Sequence, residues 1–95
     1  MARDEDGLRS CMAQAAEDFQ KAKDQAQSEY QQDRSEAQSA LDSCLRNART
    51  TGQQEECRST YDSAIEAASS RLQSRQDAAA MAHQNAQSMC QDVYG

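Results

Sequence analysis

Proline and tryptophan are absent from this 95-residue chain, phenylalanine and histidine occur once each, and Leu, Ile, Val and Phe together supply only seven residues. Without bulky apolar side chains no thick core can form, and a fraction this low points toward disorder when taken alone. No run approaches the ~18 apolar residues that a membrane-crossing helix needs, so no membrane insertion is expected. Basic residues are also few: ten Lys and Arg against sixteen Asp and Glu leave a formal net charge of −6. That charge repels phosphate backbones and anionic lipid, which disfavours nucleic acid and membrane-lytic roles. An apolar leader is missing too, because "MARDEDG" is acidic and polar; the expectation is a mature form with an added start methionine.

What the chain does hold is helix-forming material. Seventeen alanines stand among many Gln, Glu, Arg and Lys, and the only glycines are Gly7, Gly52 and Gly95. A thin alanine interface buries little apolar area. At ~25 cal/mol per Å² it can hardly offset ~1.5 kcal/mol of conformational cost per ordered residue. Four cysteines in so short a chain supply the missing restraint as a disulfide framework, which places the chain outside the cytoplasm: secreted, periplasmic or at a cell surface. The competing reading is a cytosolic protein with four reduced thiols.

The apolar pattern has a period of eleven. Leu8, Phe19, Tyr30 and Leu41 form one row, Cys11, Ala22, Asp33 and Cys44 a second, and Ala15, Ala26, Ala37 and Ala48 a third. Together they trace one stripe at ~3.67 residues per turn. The second half repeats it with Cys57, Ala68, Ala79 and Cys90, flanked by Tyr61, Leu72, His83 and Tyr94. The expected fold is all-α: an antiparallel two-helix hairpin, hendecad coiled-coil-like and nearly straight, with helix 1 over about 5–49, a loop over about 50–53 and helix 2 over about 54–92. Asp4 or Asp6 can cap the first helix, Arg46 and Arg49 suit its negative end, and Gly52 can take a left-handed cap. Thr51 with Gln54 matches a capping box, and Glu55 and Glu56 suit the start of the second helix.

In an antiparallel hairpin, residues whose numbers add to a constant lie opposite each other. Cys44 with Cys57 and Cys11 with Cys90 share the same total, 101. Cys11 and Cys44 on one helix would be ~50 Å apart, and Cys11 with Cys57 would need parallel helices. The expected bridges are therefore Cys11–Cys90 and Cys44–Cys57, nested. The same register sets Phe19 against Ala82 and His83, Tyr30 against Arg71 and Leu72, Ala37 against Ala64, and Leu41 against Thr60 and Tyr61, large residues tending to face small ones.

Catalytic chemistry finds little support in the sequence. His83 falls on the buried row, the carboxylates of Glu17, Asp18 and Asp24 fall on outer faces with Lys21 and Lys23, and no phosphate loop, CxxC pair or metal-binding histidine spacing occurs. No catalytic residue, cofactor or small-molecule pocket is expected. One alternative remains: with reduced thiols, Cys11, Met12, His83, Met89 and Cys90 could offer soft ligands to Cu(I), making a metal or thiol-redox protein. A secreted defence or toxin-like hairpin fits the bridges but not the acidic charge.

The surface gives the better hint. Residues 78–89, "AAAMAHQNAQSM", carry no charge, and on a helical wheel Met81 and Leu45 point away from the stripe. A solvated helix face usually bears charges, so Ala78, Met81, Gln84, Asn85, Gln87, Ser88 and Leu45 form the candidate contact surface for a protein partner or a second copy. A merely neutral Ala/Gln surface is the plainer explanation. In outline the two bridged helices resemble the twin-cysteine hairpins of the mitochondrial intermembrane space. Those have a few residues between the cysteines of each helix where this chain has 32, so the resemblance implies nothing about function. The reading that follows is a non-enzymatic interaction or structural module, a rod about 60 Å long by rise per residue.

Overall fold

The computed structural model describes residues 4–95. It contains two helices, α1 (Glu5–Asn47) and α2 (Thr51–Tyr94), in an antiparallel hairpin closed by nested disulfides Cys11–Cys90 and Cys44–Cys57. Among the described residues there is no strand. Both expected bridges are present, each with a Cα separation of 5.7 Å.

Helix α1 starts at Asp4, whose side chain satisfies one otherwise orphaned amide and whose carbonyl accepts the first intrahelical bond. The Gly7 N–H donates to its Oδ1 at 2.8 Å, and the Leu8 N–H donates to its backbone carbonyl at 2.9 Å. Along the outer face, glutamine amides donate to acids one turn on: Gln14 to Asp18, Gln20 to Asp24 and Gln38 to Asp42, all within 3.0 Å. A Lys21–Glu17 ion pair at 3.1 Å belongs to the same outer surface. Such i,i+4 pairs contribute ~0.2–0.5 kcal/mol each and hold helix where little is buried.

The turn between the helices differs from the expected one. Helix α1 ends at Asn47 rather than near 49, and α2 begins at Thr51 rather than 54. Thr50 is the capping residue: its Oγ1 accepts from the Gln53 N–H at 3.1 Å, and Gln53 Oε1 accepts from the Arg49 N–H at 2.6 Å. The cap is thus Thr50 with Gln53, one residue before Thr51 with Gln54, and it departs from a strict capping box in that the Gln53 side chain reaches back to the amide of Arg49 rather than to that of Thr50. Gly52 does not provide a left-handed cap. It lies in the first turn of α2, and no described glycine has a positive φ.

That correction makes a prediction. A methyl group at Gly52 would meet only Thr50 Oγ1, at 3.9 Å. Gly52→Ala should therefore stabilise the fold by ~0.4–1 kcal/mol, largely by restricting the unfolded chain, and raise the melting point by a few degrees. At Gly7 the same group would come within 2.6 Å of the Tyr94 ring and 2.5 Å of Asp4 Oδ2. Gly7→Ala should lower it. A thermal melt followed by circular dichroism reads both signs, and a fall with Gly52→Ala would be inconsistent with the helix start at Thr51.

Two compact units draw on both helices: residues 4–26 with Ser74–Gly95, and Gln27–Gln73. The first contains the Cys11–Cys90 bridge, the close approach of Gly7 and Tyr94, and the stacked rings of Phe19 and His83, with centroids 4.5 Å apart. The second contains Cys44–Cys57 and a bidentate contact in which Arg71 donates twice to Asp33 Oδ2, at 3.2 and 3.3 Å. In both units the buried positions are hendecad positions: Ala15, Ala26 and Ala37 on α1, and Cys57, Ala68, Ala79 and Cys90 on α2. The core is one small residue thick.

Candidate functional site

Helix α2 turns an uncharged surface outward over residues 78–91. Ala78, Met81, Gln84, Asn85 and Ser88 are exposed there, with Met81 at 64 %. Gln87 is half-buried, because it shares a hendecad row with half-buried Ile65 at the edge of the stripe. Leu45 is half-buried as well and does not point outward, contrary to the wheel. An eleven-residue period turns about 98° per residue rather than 100°, and over three repeats that keeps Leu45 in the row of Met12, Lys23 and Arg34. Members of that row cover the aromatic row. Lys23 Nζ lies 4.5 Å from the centroid of Phe19, and the Arg34 guanidinium 5.7 Å from that of Tyr30. Leu45 also belongs to the unit formed by Gln27–Gln73, so the candidate surface reduces to α2 within Ser74–Gly95.

Two further residues enlarge that surface. Met89 is 66 % and Val93 69 % exposed. Ala78, Ala82, Asn85, Met89 and Val93 follow one another at intervals of three or four, so they share one flank of α2. From the sequence Met89 reads equally as a sulfur ligand, and Val93 carries no pattern by itself. The signal was present nonetheless, since Met89 is eleven residues after Ala78, and Val93 eleven after Ala82.

Beside this flank runs a groove between α1 and α2. One stretch of about 560 Å³ has Ser10, Gln14 and Asp18 on the α1 side and Ala86, Met89 and Tyr94 on the α2 side. A second, of about 150 Å³, lies between Phe19 and Ala22 on α1 and Ala79, Ala82 and His83 on α2. Ala15, Asp18 and Ala86 line both, which makes them one continuous groove within the first unit. In the larger stretch the α2 wall is mostly apolar and the α1 wall largely polar, with Asp18 accepting from the Gln14 amide at 2.9 Å.

The five positions considered for a soft metal are distributed otherwise. Cys11 and Cys90 are bridged, so neither offers a thiolate, and no described cysteine is free. Met12 is half-buried, Met89 faces outward at the groove, and His83 is stacked on Phe19 with Nδ1 buried and without a hydrogen-bond partner. Among the described residues no group of three or more His, Cys, Asp or Glu is gathered in a way that could hold a metal ion. No described helix is long and apolar enough to cross a membrane.

Comparison with known proteins supplies no analogy for this surface: no family model, curated protein or solved structure matches the chain.

Proposed function

We propose that this chain is a non-enzymatic interaction module of an extracytoplasmic space, a bridged helical hairpin that offers the α2 flank around Met81 and Met89 to a protein partner or a second copy. The observation that carries the reading is the exposure of Met81 and Met89 on a stretch without charge, with exposed Val93 just beyond it, in a chain otherwise short of large apolar residues. Single exposed apolar residues are ordinary, whereas several on one flank beside a groove suit a contact that excludes water. Two disulfides support the compartment, because such bonds persist where the medium is oxidising. An enzyme would need a site that shelters reactants from water, and the larger stretch of the groove is open along the surface.

The test places a photoreactive side chain at Met81 in one variant and at Asp24 of α1 in another, then irradiates each in the native compartment. A discrete adduct from position 81 with little from position 24 is the expected result. Equal or absent labelling would count against the surface. Met81→Glu should weaken the contact by placing an unpaired charge in it, while helical content and both bridges stay as they are.

A further inference from the structure

From Glu5 to Tyr94 the chain is helical except at one turn, formed by Ala48, Arg49 and Thr50. Arg49 and Thr50 are exposed there, and Ala48 is half-buried. Of the eight Lys and Arg residues between Cys11 and Cys90, seven lie within α1 or α2. Arg49 alone stands outside a helix.

An endopeptidase holds its substrate extended across the bond it cuts, so a cation in the middle of α1 or α2 becomes available only when several turns unfold around it. At the turn little has to be released. The Arg49 N–H donates to Gln53 Oε1 at 2.6 Å, the Gln53 N–H to Thr50 Oγ1 at 3.1 Å, and the Ala48 N–H to the Leu45 carbonyl at 3.3 Å. The first two bonds are exposed, and water replaces them at small cost. The opening needs to reach no further than the residues enclosed by Cys44–Cys57, where the only other cation is Arg46 in the last turn of α1.

We infer that Arg49–Thr50 is a processing site, cut by an endopeptidase of arginine specificity that shares the chain's compartment. Such an enzyme takes the Arg49 guanidinium into an acidic pocket. Water supplies the hydroxyl that turns the Arg49 carbonyl into a carboxyl group and the hydrogen that the departing Thr50 nitrogen takes up. At neutral pH the carboxyl proton then resides on the new amine, which leaves a carboxylate and an ammonium. The product is two chains joined by both disulfides, because each bridge links a cysteine before the cut to one after it. The new carboxylate stands at the negative end of α1 and the new ammonium at the positive end of α2, so both oppose the helix dipoles. The turn is loosened and the hairpin is kept. The site belongs to the unit of Gln27–Gln73 and the α2 flank to the other, so the inference is independent of the interaction-module reading.

The probe is trypsin, added sparingly to the disulfide-intact chain, with samples stopped over time and read by mass spectrometry before and after reduction. Between Cys11 and Cys90 the first cut should fall after Arg49. Unreduced, the product should gain the mass of one water and lose no fragment from that span; reduced, it should separate into one chain ending at Arg49 and another beginning at Thr50. Arg49→Gln should slow cutting between Cys11 and Cys90 by about tenfold or more, because every remaining cation there lies in helix. Gln53→Ala removes one of the two exposed bonds and should speed the cut severalfold, whereas Arg34→Gln should leave its rate unchanged. The two-chain product should keep most of its helical circular dichroism at 25 °C and melt at a lower temperature than the parent. Chain recovered from its native compartment without added protease should contain the same two-chain form. A first cut after any other Lys or Arg between Cys11 and Cys90, no cut before the helices themselves unfold, or loss of the helical signal on nicking would each overturn the inference. Recovery of uncut chain alone from the native compartment would overturn it as well.

Discussion

Reduction of both disulfides should abolish most of the helical signal at 25 °C. The buried set is alanine and half-cystine: among the described residues the core positions are Ala15, Ala26, Ala37, Cys57, Ala68, Ala79 and Cys90. None brings the ~1.5–3 kcal/mol that a buried Leu, Ile or Phe would add. In the chain-entropy picture the bridges restrain loops with sequence separations of 79 and 13 residues, worth ~4.5 and ~3 kcal/mol. Their sum of ~7 kcal/mol is comparable with the whole stability of an ordinary small domain, ~5–15 kcal/mol. The outer bridge should matter more than the inner one. With Cys11→Ser and Cys90→Ser, the helical ends of the first unit lose their only covalent link and should fray first, while Gln27–Gln73 keeps Cys44–Cys57 and the Arg71–Asp33 contact. Circular dichroism and amide hydrogen exchange with and without reductant measure this. Unchanged helicity and melting temperature in the reduced protein would mean that the alanine interface suffices alone.

Legibility in the sequence followed the strength of each physical constraint. The eleven-residue rows were readable because burial demands repetition: every hendecad row named for the stripe contains buried or half-buried residues, with Cys44 the exposed member. The bridges were readable because a disulfide tolerates only a narrow range of Cα separations, and antiparallel register leaves one pairing that meets it. The turn was harder. Thr50 and Thr51 are chemically alike as caps, and glycine is conformationally free enough to serve in a helix's first turn as well as at its end. Only the hydrogen bonds of Gln53 select Thr50. Leu45 is hard to place because an ideal wheel at 100° per residue drifts from the true period over several turns, and a lone Val93 near a terminus carries no pattern until Ala82 is set beside it. The contact surface was visible chiefly as an absence of charge. Its Met89 and Val93 extension needed the exposures, because a methionine next to a cysteine reads equally well as packing, ligand or surface.

Ala68→Glu should be the most damaging single substitution that leaves both disulfides intact. Ala68 is fully buried at 0 % exposure, in the α2 row that also contains Cys57, Ala79 and Cys90. At both bridges the Cα atoms of the two helices lie 5.7 Å apart; a glutamate side chain between backbones near that spacing must force them open. Overpacking of this kind costs ~1–3 kcal/mol, and an unpaired carboxylate removed from water adds several more. By register, Ala68 is opposite Asp33, whose Oδ2 already accepts both Arg71 donors, so a second acid would compete for the same guanidinium. A loss of at least ~3 kcal/mol is expected, a fall of ~12–24 °C in melting temperature for a domain of this size. Ala68→Leu separates the two causes, since it retains the bulk without the charge and should be milder. Ala67→Glu, at the exposed neighbouring position, should change little. The charge component also has a sign in pH: burial raises the new carboxyl's pKa in the folded state above its unfolded value of ~4.3, so the deficit of Ala68→Glu relative to the parent is full only above that raised value, shrinks as pH falls below it and is gone by pH ~4. A deficit equal for Glu and Leu and independent of pH would assign the whole effect to bulk and leave no role for the buried charge. A melting temperature unchanged in all three variants would instead show that α1 and α2 do not approach each other closely at Ala68.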